Sequence, residues 1–124
     1  MRRLDAKGLG MHTYDYKNDV LLFKIKGRKY KESIEFDDVV IDLDEEEFIT
    51  GIRIFDASAF FNLPKQTLKT ITAFSFDTRI EANIVTVNLH FTTRYRNKEV
   101  LHQGQNLIRQ ATSTINDSQA SCST

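Results

Sequence analysis

"VVIDLDEEEFITGIRIFDAS", residues 39 to 58, is the stretch whose reading decides the fold. Val39, Ile41 and Leu43 alternate with Val40 and Asp42, the two-residue period of a strand with one buried face. Asp44, Glu45, Glu46 and Glu47 then form a polar turn. The segment 48–55 runs back as a second strand, so 39–55 reads as a β-hairpin. Gly51 inside that strand marks a bulge or a close backbone approach. After Asp56 the alternation stops. An acid between an apolar strand and Ala57-Ser58 invites a catalytic reading. A simpler one makes Asp56 the cap of a helix, its oxygen accepting from exposed N–H groups, with Ser58 sharing the task.

The same periodicities organise the flanks. In "DVLLFKIKG", 19 to 27, Leu21, Phe23 and Ile25 alternate with Leu22, Lys24 and Lys26, and Met11–Tyr14 is a hairpin partner for that strand. Within 57–71, Phe60, Phe61, Leu63, Leu68 and Ile71 fall near helical spacing. Pro64 suits the first turn of a second short helix. The clearest hairpin is 73–95, where Val85, Val87, Leu89 and Phe91 share one face and Thr86, Asn88, His90, Thr92 and Arg94 the other. Beyond it, Leu101, Gly104, Leu107 or Ile108, Ala111 and Ile115 are helix-spaced and predict a C-terminal helix at about 103–114. The expected fold is therefore α+β: a mostly antiparallel sheet of two hairpin or meander units, joined by one or two short helices. One domain is expected over 1–115, and the Ser-rich tail 116–124 reads as disordered.

With 124 residues the chain has the size of a single domain, and its 40% hydrophobic and 27% charged content is that of a globular protein. No apolar run approaches the roughly 18 residues that span a bilayer, and the N-terminus lacks the apolar core of a secretory signal. With no such run, no membrane partner is expected; and one cysteine, Cys122, permits no internal disulfide, which fits a reduced cytoplasmic compartment. Net charge is zero, which argues against a generic polyanion binder. The charges are nonetheless segregated. Residues 24–31 hold five bases and no acid, and 32–47 hold nine acids and no base. Paired as neighbouring strands, the two segments neutralise each other.

Tyr14, Asp15, Asp19, Leu21 and Phe23, followed by Val39, Val40, Asp42, Asp44, Ile49, Gly51, Ile52, Ile54, Asp56, Ala57 and Ser58, resemble the pattern of the uncharacterised domain-of-unknown-function family 2283. The resemblance covers about residues 14–58 and extends in a longer form to about 95. The chain departs from the pattern at Val20 and Leu22, which add bulk, and at Glu45–Glu47, which replace a glycine turn region. It implies a structural role for Tyr14, Asp15, Asp19, Asp42, Gly51, Asp56 and Ser58, and no activity. Members stand beside small toxin-like genes, so it also implies an antitoxin-like role.

Each constellation with chemical potential has a plainer reading. The acids 37–47 lack the spacing and glycine of a calcium loop and read as a solvated turn. Ser58 with Asp56 and a distant His90 or His102 has no nucleophile elbow. His90 and His102, even if they meet across the 96–99 turn, are two ligands short of a zinc site. No cofactor or metal is expected, and the expected function is non-enzymatic: a small homo-oligomeric interaction module with strands able to pair edge to edge. The alternative is an antitoxin-like regulator binding a small toxin-like protein or nucleic acid through the 90–98 strand, with His90, Arg94, Tyr95 and Arg96 as contacts.

Overall fold

Strands take over more of the chain than alternation alone predicts. The structure, a computed structural model, describes residues 1–103 and 106–124. The fold is mostly β, with 61% strand and 7% helix in two sheets, which corrects the α+β expectation. The five-stranded sheet has the order β2-β3-β6-β5-β4, built from β2 (Gly10–Asp15), β3 (Val20–Ile25), β4 (Tyr30–Phe36), β5 (Val39–Asp44) and β6 (Ile49–Ile54). Two short helices, α1 (Ala57–Phe61) and α2 (Lys65–Leu68), lead into the six-stranded sheet. That sheet comprises β1 (Arg2–Ala6), β7 (Ile71–Glu81), β8 (Ile84–Tyr95), β9 (Lys98–Gln103), β10 (Leu107–Gln110) and β11 (Ser118–Ser123). Its order is β1-β11-β7-β8, with β9 and β10 in succession along the far edge of β8.

The hairpins expected at 11–25, 39–55 and 73–95 form, as β2–β3, β5–β6 and β7–β8. The ladder between β5 and β6 shifts register at Asp42/Leu43, opposite Gly51. A Cβ on Gly51 would lie 3.0 Å from Asp42 Oδ2, so this glycine both serves a bulge and admits a close approach.

The two C-terminal expectations fail for one reason. The helix expected at 103–114 is replaced by the end of β9 and by β10, with its positions 104 and 105 outside the described residues. The tail expected to be disordered holds β11, paired to β1 on one side and β7 on the other. The long strands β7 and β8 present rows of backbone donors and acceptors that demand partners, and pairing satisfies them whatever the side chains. Alternation is present in β11 but faint. Ser118, Ala120 and Cys122 are buried, while Gln119, Ser121 and Ser123 are only partly so.

One apolar core contains residues of both sheets. Phe23 of β3 meets Phe74 and Phe76 of β7 at 4.8 and 4.7 Å between ring centroids. Phe61 of α1 stands edge-on to Phe91 of β8 at 5.0 Å. Cys122 is buried, and its thiol is pushed up to about 12 by desolvation and by Asp77 and Asp5. Cys122 should therefore react with a disulfide reagent at pH 8 at least about a hundredfold more slowly in the native protein than in denaturant. Equal rates in the two conditions would show that β11 does not hold the sheet.

Candidate functional site

The family pattern resolves into architecture. Asp19, in the turn between β2 and β3, has left-handed backbone (φ 55°) and is only 8% exposed. The Tyr14 hydroxyl donates to Asp19 Oδ1 at 2.5 Å, and the Ser58 hydroxyl donates to Oδ2 at 2.5 Å. The Ser58 amide donates to Oδ1 at 3.1 Å and the Ala57 amide to the Asp19 carbonyl at 3.0 Å. Asp19 thus caps α1 from 39 residues away in sequence. Asp56, the expected cap, occupies the N-cap position but makes no side-chain cap hydrogen bond and is exposed. Burial alone would raise the Asp19 carboxyl. The hydroxyl donors of Ser58 and Tyr14 and the Ser58 amide outweigh it and hold the group below its ordinary value. The same burial, and the bond to Asp19, push the Tyr14 phenol up. A carboxylate whose oxygens are both engaged in this way is a fastener between β2, β3 and α1.

A second part of the pattern lies on the outer face of the five-stranded sheet. Arg53 Nη2 donates to Asp42 Oδ1 at 2.9 Å and the Ser33 hydroxyl donates to the same atom at 2.7 Å, with Asp42 lying over Gly51. Asp15 accepts from the backbone and side-chain amides of Asn18, which closes the β2–β3 turn and lowers the Asp15 carboxyl. The remaining acids are spread among bases. Arg28 meets Asp44 and Glu46, Lys31 meets Glu47, and Arg109 meets Asp38. No group of three metal-ligating side chains converges among the described residues.

The four expected contact residues separate. Alternation along β8 puts His90 and Arg94 on the outer face and Tyr95 on the opposite one. Arg94 reaches Glu99 at 3.8 Å. Arg96 sits in the turn with Asn97, both in left-handed backbone, and its guanidinium lies 5.2 Å from the Tyr95 ring centroid. His90 stands opposite Gln103 and His102 opposite Phe91, so the two histidines point to opposite faces.

The structure instead assembles a cleft of about 480 Å³ between α2 with its flanks and the β8–β9 hairpin. Its walls are Leu63, Gln66, Thr67 and Thr70 on one side, and Thr93, Arg94, Tyr95, Val100 and His102 on the other. His102 is fixed there by a 2.9 Å hydrogen bond with the Thr93 hydroxyl and by stacking on Phe91 at 5.0 Å. Of the expected contacts, only Arg94 and Tyr95 line it. Nothing local in 62–70 marks those residues as a wall, since the opposing hairpin lies some 30 positions on.

The chain matches the family described as "Protein of unknown function (DUF2283)" over residues 12–58, a segment that takes in β3 to β6 whole and ends inside α1. It is 36% identical over 91 residues to the uncharacterised protein MJ0789 of Methanocaldococcus jannaschii, covering 73% of this chain and 78% of that one. It is 33% identical over 89 residues to a Methanosarcina mazei protein named "Putative hypoxanthine phosphoribosyltransferase", covering 72% of each. The chain belongs to the DUF2283 family, whose function is unknown. No solved structure matches it. No helix of the described residues is long and apolar enough to cross a membrane.

Asp19→Asn, which tolerates left-handed backbone, should cost about 1.5–3 kcal/mol of unfolding free energy at pH 7, the range for hydrogen bonds to a charged group. Because the folded carboxyl lies below its ordinary 3.8, its contribution is present above that pH and is lost as pH falls through the lower folded value. Urea unfolding curves of the two proteins should accordingly converge below about pH 4. A gap that persists in strong acid would mean that the charge is not what stabilises the joint.

Proposed function

We propose that this chain is a non-enzymatic cytoplasmic interaction module that self-associates through the sheet edge formed by β9 and β10. The observation that carries the reading is a pair of exposed apolar side chains that this open edge carries between the charges of Lys98, Glu99 and Arg109. Leu101 and Ile108, 64% and 62% exposed, stand on β9 and β10 on one face of the sheet, with Ile84 of β8 beside them. The other edges of the described sheets carry protective devices. β1 is charged at Arg2, Arg3 and Asp5; β4 carries Lys31, Glu32 and Glu35 and a bulge at Tyr30/Glu32; and β2 is tied to β7 by His12, whose Nε2 lies 3.1 Å from the Ile71 carbonyl. Pairing of β9 with its copy extends the sheet and covers Leu101 and Ile108 across the seam.

The nucleic-acid alternative has less support, because His90 and Arg94 stand on one face of β8, Tyr95 on the other and Arg96 in the turn, and the chain carries no net charge. The name of the Methanosarcina mazei relative would ask for a site that holds a phosphorylated sugar. Phosphates are ordinarily held by glycine-rich loops that open onto helix N-termini. Here the turn after β5 is acidic, and the first turn of α1 already holds the Asp19 carboxylate. Both features support the non-enzymatic reading.

Light scattering at tens of micromolar should return at least a dimer mass, and the exposed substitution pair Leu101→Glu with Ile108→Glu should return a monomer that still unfolds cooperatively in urea. A monomeric parent, or a variant that still associates, would overturn the assignment of this edge.

A further inference from the structure

The cleft between α2 and the β8–β9 hairpin lies on the other face of β9 from Leu101. Its volume of about 480 Å³ falls within the roughly 300–1,000 Å³ of small-molecule sites. Leu63, Val100, the Tyr95 ring and the methyl groups of Thr67, Thr70 and Thr93 give it an apolar lining, while Gln66, His102 and Arg94 supply polar groups at a few points. The charge around it is one-sided. The segments 62–70 and 93–100 that wall it carry Lys65, Lys69, Arg94, Arg96 and Lys98 against the single acid Glu99. Lys65 and Lys69 stand over the ring of Tyr16, whose hydroxyl accepts from Gln66 of the cleft wall.

We propose that this cleft binds a small amphipathic organic anion, an apolar aromatic or aliphatic body bearing one acidic group. The body fills the space between Leu63, Tyr95 and Val100. The acidic group faces the cationic rim at the β8–β9 turn, where Arg96 lies over the Tyr95 ring and Lys98, opposite Tyr95, shares its face of the sheet. An anion gains here and a neutral analogue of the same shape gains only the apolar part. The site is independent of the edge proposed for self-association, because Val100 and Leu101, neighbours on one strand, project to opposite faces.

That geometry supplies its own control. The full chain is titrated with 8-anilinonaphthalene-1-sulfonate and, in parallel, with its uncharged counterpart N-phenyl-1-naphthylamine, with binding read by fluorescence. The anion should bind saturably at one site per chain, and the neutral dye should bind at least about tenfold more weakly. Val100→Glu alone and Arg96→Gln with Lys98→Gln, all at exposed positions, should each weaken the anion about tenfold, whereas Leu101→Glu should leave it unchanged. The urea midpoint of each variant confirms that it is folded, and the mass of the parent does not enter the reading. Equal affinity for the two dyes, loss of binding on Leu101→Glu rather than Val100→Glu, or no saturable binding would each overturn the proposal.

Discussion

The two sheets meet through Phe23, and most of the architecture follows from the need to cover it. Its ring sits against Phe74 and Phe76, at the centre of a face to which Leu21, Ile25, Ile41, Ile52 and Ile54 also contribute. A sheet with such a face cannot stand in water by itself. The segment matched by the family, 12–58, supplies that face almost alone, and the six-stranded sheet supplies its cover from residues on both sides of it. Gly10 records how tightly the cover fits: a Cβ there would come within 2.6 Å of the Phe23 ring and 2.9 Å of the Ser123 carbonyl oxygen. The seam between the sheets has no room for a methyl group at that point.

Placement of α1 and α2 depends on the same joint. Asp19 ties the end of the β2–β3 hairpin to the first turn of α1, and α1 carries Phe61 onto Phe91 in the opposite sheet. From there the chain has only Asn62 to Pro64 before α2, so the position of α2 over β8 is fixed by a bond made at Asp19. The cleft is the gap left where α2 stops short of the β8–β9 turn. Its geometry is thus set by residues that do not line it, which is how a fastening carboxylate in one sheet comes to matter for a surface on the other.

What was legible in the sequence was whatever rested on side-chain contrast. The hairpins of 11–25, 39–55 and 73–95 have apolar and polar residues in strict alternation, and they form. The strands that escaped notice are those whose reason for existing is a neighbour's backbone. β4 is polar and half-exposed, β10 has four residues, and β11 is built of Ser, Gln, Ala and Cys, whose small side chains give little contrast. Helix spacing at 101–115 was genuine as a pattern, but the open edge of β8 decided the outcome. The cap at Asp56 was plausible locally and lost to an acid 37 positions earlier, because only the folded hairpin brings Asp19 to the amides of α1. Likewise, Arg94 and Tyr95 could be picked out as an exposed basic and aromatic pair, while Leu63 and Thr67 acquire meaning only when α2 is laid beside β8.

The place of β11 has a temporal side as well. Residues 118–123 lie between β1, made first, and β7, and β1 has β11 as its strand partner. During synthesis the five-stranded sheet is complete by residue 54, yet its aromatic face stays uncovered until β7 and β8 emerge. β1 waits with its backbone groups unmatched for more than a hundred residues. Such a pairing order gives the chain a late closing step of high contact order, a period in which an exposed Phe23 face and an idle N-terminal strand invite association with other nascent chains. The ragged charges of β1, two arginines, an aspartate and the lysine that follows, keep that waiting strand from finding the wrong partner.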